Sequence, residues 1–306
     1  MSTKPQSKDS KNVQETPDFI VAGATRCGTS TLYQILSSHS EIRMPKTKEI
    51  HFFDDDRSFA QGMESYAAHF ERSSDEVSGD ITPTYFNRGY TKDSAGAHKW
   101  SPEDDAITRM AANIAPDTQI ILSLRNPIMR AQSFYARTKW QGHESADTFE
   151  QAVQEEIDGK RSPEITPLCP LYLSHYKIHV QHILKHINPK KVLIMIMEEW
   201  TAEPQKAHEV LANALGVSVT GFAADHIPTT NEGRQSVSTL GAKMIKKLPS
   251  QRLRRMLSRH LLSQKGYQST ISPALHARLL AHFEDDIAYL EGLLARPILS
   301  WRKGAS

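Results

Sequence analysis

Three short stretches of the 306-residue chain combine residue types and spacings that could do chemistry. In FIVAGATRCGTSTL, residues 19–32, an apolar run meets Gly23, four residues intervene, and Gly28-Thr29-Ser30 opens a segment with Leu32, Ile35 and Leu36 in helical period. This is the layout of a phosphate-cradling turn, G-x-x-x-x-G-[K]-[ST], with Thr29 standing where nucleotide-cleaving loops carry lysine. N–H groups at a helix start are unsatisfied and partially positive, so such a turn binds an anion without side-chain charge. Phosphoryl transfer would also need a lysine on the β/γ-phosphates and a Mg²⁺ held by an acid at another strand end. Here the next buried strand ends in Arg125.

The second stretch is LSLRNPIMRAQSFYAR, residues 122–137. Arg125 closes a strand, Pro127 takes a helix-starting position, and Ser133 follows about two turns into the helix. A guanidinium at a strand end and a hydroxyl on the next helix can converge on a second oxyanion. The third is PKTKEIHFFDDD, residues 45–56. Read as extended chain, it places Glu49 and His51 on one face, a carboxylate and an imidazole suited to removing a proton and stabilising a transferred group.

The elements that must hold these residues follow from periodicity. Continuous apolar runs at Phe19–Ala22, Gln119–Leu124 and Lys191–Met197 read as strands buried on both faces. Helical patterns lie at 28–38, 128–140, 171–187 and 205–215, the last closed by Gly216, and again at 236–247, 250–262 and 273–294. Strands alternating with helices imply an α/β fold with a P-loop-like central parallel β-sheet flanked by helices and a helical C-terminal part. Residues 1–16 are polar without period and read as a disordered leader, leaving residues 17–306 as a single domain. A net charge of +2, from 37 basic and 35 acidic residues, gives no global argument for nucleic acid. No apolar run is long enough to span a membrane and no signal-peptide core is evident, so a cytoplasmic protein is expected. Two cysteines make no disulfide framework, and Cys27, inside the first loop, is expected to be a small buried neutral thiol.

Together the motifs resemble the sulfotransferases that use 3′-phosphoadenosine 5′-phosphosulfate (PAPS), with a likeness nearest the Golgi heparan sulfate group and its small bacterial relatives. ATRCGTSTL (24–32) resembles the 5′-phosphosulfate loop, RNPIMRAQS (125–133) the 3′-phosphate motif, and KEIHFFD (48–54) the segment bearing the catalytic glutamate. DITPTYF (80–86) and KKVLIMIMEEWTAEP (190–204) look like further family segments, so the likeness runs over roughly residues 18–235. The resemblance implies PAPS as sulfuryl donor with contacts from Arg26, Cys27, Gly28, Thr29, Ser30 and Thr31, and a 3′-phosphate held by Arg125 and Ser133. Gly233 and Arg234, in NEGRQS, loosely match a loop that closes over the nucleotide. It implies Glu49 as general base, Arg26 stabilising the leaving phosphate oxygen, and His51 either orienting Glu49 or contacting the sulfonate. No metal is required, and adenosine 3′,5′-bisphosphate (PAP) is the product. Two departures stand out: Arg26 replaces a frequent lysine, and another family lysine falls on Ile81.

Other patterns are read more plainly. His175, His179, His182 and His186 form one helical stripe, expected to be a solvated face rather than a metal site. The run Asp54–Asp56 is expected to be a capping, solvated cluster that would suit a cationic acceptor. It makes a small-molecule acceptor, hydroxyl or amine, more natural than a heavily sulfated polysaccharide. A P-loop kinase-like phosphotransferase and a non-catalytic nucleotide-binding module are the rival functions.

Overall fold

A computed structural model describes residues 16–70, 76–222 and 271–302. Among them, strands β1 (Phe19–Gly23), β2 (Ile42–Arg43), β3 (Val77–Ile81), β6 (Gln119–Leu124) and β7 (Val192–Ile196) form one parallel sheet. Its order is β2-β3-β1-β6-β7, while β4 (Tyr90–Lys92) and β5 (His98–Trp100) make a separate antiparallel pair. The helices are α1 (Thr29–Ser37), α2 (Asp56–Phe59), α3 (Met63–Ala67), α4 (Ala106–Asn113), α5 (Pro127–Trp140), α6 (Phe149–Ile157), α7 (Tyr176–His186), α8 (Met197–Ala202) and α9 (Pro204–Leu215). Three C-terminal helices follow at Pro273–His282, Glu284–Leu294 and Leu299–Arg302.

Side-chain alternation along the central strands builds two cores. Ile20 and Ala22 of β1, with Ile120, Leu122 and Leu124 of β6, pack against α4, α5, α7 and the C-terminal helices. Phe19 and Val21, with Ile121, face the opposite way against Leu32, Ile35 and Leu36 of α1 and Leu211 of α9. The sheet is thus covered on both faces, and β1 and β6 lie side by side at its centre. Their carboxyl ends therefore open next to each other, which is where parallel sheets place ligands.

Several expectations change. Strand β3 carries Ser78, Gly79 and Asp80, all buried, and so lacks an apolar signature. Gly79 is required because a Cβ there would lie 2.1 Å from the Phe19 ring, and Ser78 is held through its N–H and hydroxyl by the Asp18 carboxylate. The last strand stops at Ile196 and is an edge strand, half-buried over Val192–Ile194. The helix expected over 171–187 starts only at Tyr176, after a 3-10 turn. The expected helix 273–294 is two helices broken at Phe283, whose fully buried ring ends the first. Helix α9 ends as expected at Gly216, with φ 69°.

Only His186 of the histidine stripe is exposed as expected; the other three are drawn into the packing. His179 is fully buried, accepting the Arg88 N–H on Nδ1 (3.1 Å) and donating from Nε2 to the Tyr172 carbonyl (3.0 Å). Burial pushes its pKa down to about 3, partly offset by the Tyr172 bond. His182 pairs with Asp105 at 2.9 Å, and His175 pairs with Asp286 at 2.8 Å. The stripe joins α7 to its neighbours through these polar contacts. Among the described residues no helix is long and apolar enough to cross a membrane, and no group of three or more His, Cys, Asp or Glu side chains could hold a metal ion. Residues 1–15 and the expected helices at 236–247 and 250–262 lie outside the described residues.

Candidate active site

The first anion loop runs from β1 to α1. Gly28 caps the helix in the left-handed region, with φ 80° and no side-chain cap, and a Cβ there would meet the Trp200 ring at 2.6 Å. Only glycine fits both constraints. The N–H groups of Gly28, Thr29 and Ser30 have no partner among the described residues, whereas the Thr31 and Leu32 N–H groups close on the Gly28 carbonyl at 2.9 and 3.0 Å. Unsatisfied donors on a helix start, on a loop held in place from behind, form an anion cradle. The holding is done by Ser123 of β6, which donates its hydroxyl to the Cys27 carbonyl at 2.6 Å and receives the Trp200 Nε1–H at 3.0 Å.

Cys27 is fully buried, as expected, and burial pushes its thiol pKa up despite the Arg130 charge. Its sulfur lies 3.7 Å from the Tyr176 hydroxyl, so only its backbone is available to a ligand in the cradle. Thr29 and Thr31 are buried in the first turn, while Ser30 is half-exposed. Arg26 has φ 69° and donates from Nε to Ser133 Oγ at 3.1 Å. Its guanidinium therefore leans toward α5. Burial and then the charges of Arg137, Arg125 and Arg130 lower its pKa to about 10, so four cations crowd one region. Such crowding is relieved by a bound anion.

The second loop runs from β6 to α5, with Pro127 at the helix start and the Asn126 side chain accepting the Ile128 and Met129 N–H groups. Tyr176, fully buried on α7, donates its hydroxyl to the Arg125 carbonyl at 2.7 Å and accepts the Arg125 N–H at 3.3 Å. Glu198 takes the Asn126 N–H on one oxygen and the Trp301 indole N–H on the other, both at 2.9 Å. The backbone of the turn is thus fully engaged. The Arg125 guanidinium, by contrast, makes no hydrogen bond or ion pair among the described residues. A half-exposed guanidinium on a rigid turn, beside Ser133, is disposed to receive an oxyanion.

Arg130 is a site residue that sequence reasoning missed. It is fully buried, donating from Nε to the Thr25 carbonyl at 3.1 Å and from a terminal nitrogen to Thr25 Oγ1 at 2.5 Å. It ties α5 to the first loop. The available signal was its position among Ile128, Ala131 and Tyr135, where a charge needs a partner.

Glu49 and His51 are not in extended chain. Their φ values are 63° and 55°, so a pair of left-handed residues, rather than strand alternation, brings them together. His51 Nε2 lies 3.9 Å from Glu49 Oε2. The Glu49 N–H donates to the Ile81 carbonyl at 3.1 Å, which fixes the segment to the end of β3. Ile81 itself is buried and carries no charge into the site. Three of the four described non-glycine residues with positive φ are Arg26, Glu49 and His51, and strain of this kind gathers at functional sites.

The acidic run after His51 is not a solvated cluster. Asp54 is buried, paired with His51 Nδ1 at 3.0 Å and accepting the Thr84 hydroxyl at 2.5 Å. Burial depresses the His51 pKa, but the bond to Asp54 and its charge outweigh this, and the net pKa is raised. Asp55 caps α2, as expected of the run, by accepting the Arg57 and Ser58 N–H groups, and Asp56 pairs with Arg109 at 2.6 Å and Lys99 at 2.9 Å. Asp54 is thus a second missed site residue, orienting His51 so that Nε2 faces Glu49. Gly233 and Arg234 lie outside the described residues.

Comparison with known proteins bears on the family and the fold. A family model described as the sulfotransferase domain matches residues 16–270. The chain is 26% identical over 221 residues to bifunctional heparan sulfate N-deacetylase/N-sulfotransferase 2 of Mus musculus, covering 68% of this chain and 23% of that protein. It is 26% identical over 196 residues to the Homo sapiens heparan sulfate glucosamine 3-O-sulfotransferase 3B1, covering 62% and 44%. The chain thus spans less than half the length of these curated relatives. The crystal structure of a sulfotransferase from Alicyclobacillus acidocaldarius superposes with a TM-score of 0.64 at 23% identity, covering 94% of this chain and all of that one, which supports the fold. With the family model spanning most of the chain, the protein belongs to the sulfotransferase family of sulfuryl-transferring enzymes.

Proposed function

We propose that the protein transfers the sulfuryl group of PAPS to a hydroxyl or amine of a small-molecule acceptor. The observation that carries this reading is the pairing of two strand-to-helix anion sites on neighbouring strands, with a carboxylate beside the first. A donor with a 5′-phosphosulfate and a separate 3′-phosphate needs two such sites and no γ-phosphate clamp. The free N–H groups of Gly28, Thr29 and Ser30, with the Ser30 hydroxyl, would receive the 5′ end. Arg125 and Ser133 would receive the 3′-phosphate, and Arg26, between the two, would serve both.

In the transfer, the acceptor oxygen or nitrogen forms a bond to sulfur as the bond from sulfur to the 5′-phosphate oxygen breaks. The electron pair leaves on that oxygen, and the acceptor proton passes to Glu49. His51, held by Asp54 with Nε2 3.9 Å from Glu49, would when protonated stand as an ion-pair partner of that carboxylate. The aspartates that suggested a cationic acceptor are engaged internally, so the proposal assigns the acceptor no charge. A cytoplasmic location remains part of the proposal.

Calorimetry with PAP against ATP and Mg²⁺, followed by a transfer assay with labelled PAPS, tests the reading. Binding of PAP and metal-independent release of PAP are expected. Binding of ATP alone, with phosphoryl transfer, would favour a kinase. Nucleotide binding with no transfer to any acceptor, unchanged in Glu49→Gln, would leave a binding module.

A further inference from the structure

The family lysine near the transferred group falls on the uncharged Ile81, and Arg26, assigned to the leaving phosphate oxygen, turns to the β6 side of the first loop, where it meets Ser133. The Glu49 segment reaches the loop from the other side, through the end of β3. On that side, among the described residues, the cation that reaches the cradle is Lys48. Its Nζ donates to Glu49 Oε1 at 2.5 Å and lies 3.4 Å from Ser30 Oγ. It therefore stands between the unsatisfied start of α1 and the proposed base.

The geometry points to Lys48 as a catalytic residue that changes partner during the reaction, holding Glu49 while no donor is bound and moving onto the sulfonate when the donor arrives. The inference rests on the PAPS reading. A group seated between the 5′-phosphate cradle and Glu49 must occupy the neighbourhood of this ammonium. The transferred group carries negative charge spread over its oxygens, and a lysine is a compact charge on a flexible stem that can follow it. Three-quarters of the Lys48 side chain is withdrawn from solvent, being 25% exposed, so the interaction is less screened than at a free surface. Leaving Glu49 also matters. A carboxylate tied to an ammonium at 2.5 Å has one oxygen occupied, and transferring the ammonium to the sulfonate frees that oxygen for the acceptor's proton. In the step itself, the new bond to sulfur forms, the sulfur–phosphate oxygen bond breaks with its pair on the phosphate, and the proton moves to Glu49. Lys48 forms no covalent bond and gives up no proton.

The test uses the full chain with Lys48→Met and Lys48→Arg, read by kcat and by the separate dissociation constants of PAP, which lacks the sulfonate, and PAPS. Lys48→Met is expected to lower kcat about 10²–10³-fold, to leave PAP affinity within about twofold, and to erase roughly tenfold of preference for PAPS over PAP. Lys48→Arg should recover most of both losses. An unchanged kcat in Lys48→Met overturns the inference, as does an equal weakening of PAP and PAPS with a lowered Tm, which would mark a structural clamp. A wild-type protein that binds neither nucleotide overturns the sulfotransferase reading itself, and is recognised before any variant is made.

Discussion

Arg26 Nε donates to Ser133 Oγ at 3.1 Å, joining the first loop to helix α5 across 107 residues of chain. The contact ties a side chain of the first candidate anion loop to the helix that follows the second. Their cations are coupled too, since Arg26 has its pKa lowered by burial and then by Arg137, Arg125 and Arg130. The sites should therefore be tested through a ligand that spans both.

Arg125→Ala should weaken PAP binding about 10–100-fold, the worth of a charge-assisted hydrogen bond or two. Stability should hardly change, because the guanidinium has no partner among the described residues to lose. Ser133→Ala should cost less, about three- to tenfold. Calorimetry with PAP and a melting curve check both, and an unaltered affinity in Arg125→Ala would remove that residue from the 3′-phosphate role.

Glu49→Gln keeps the side chain's size and removes its capacity to accept a proton. The expected loss in kcat is about 10²–10⁴-fold, with the dissociation constant of PAP essentially unchanged. Steady-state kinetics beside calorimetry separates the two effects. Comparable turnover in the variant would place the base elsewhere.

Tyr176→Phe removes one hydroxyl that serves the Arg125 carbonyl and N–H and touches Cys27 Sγ at 3.7 Å. The part-buried Arg125 backbone groups lose their partner, at a cost of about 1 kcal/mol. Chemical denaturation should show that loss, and PAP binding should weaken with it because both loops are registered through this ring. A variant as stable as wild type would mean the turn is held by Glu198 and Trp301 alone.

His179 provides the pH prediction. Its folded pKa is lowered to about 3 by burial, so below the unfolded value near 6.5 the unfolded chain binds a proton that the folded chain does not. Stability should then fall as pH drops from about 6.5 toward 3, at up to roughly 1.4 kcal/mol per pH unit from this group. His179→Gln should show a shallower acid limb in Tm against pH, though a lower Tm at neutral pH. An identical acid slope in the two proteins would refute the assignment.

Local pattern was enough to place the turns and helix starts of the candidate site. Glycine spacing, a strand ending in Arg125, Pro127 at a helix start and a serine two turns on are signals written within a few residues, because turn geometry and helix capping are local physics. The parallel α/β architecture followed from apolar runs, which must be buried wherever they fall. What depended on distant partners was not legible. Strand β3 is polar in sequence because Phe19 fills the space above Gly79 and Asp18 satisfies Ser78. The Asp54–Asp56 run and the histidine stripe looked solvated because their partners, Thr84, Arg109, Arg88 and Asp286, lie tens of residues away or more. The sequence by itself thus determined which residue types gather at the carboxyl ends of β1 and β6. Only the tertiary structure decided that Arg26 turns toward Ser133 while Lys48 takes the Glu49 side, since a long flexible cation settles where folded neighbours supply oxygen, and sequence spacing does not encode that choice.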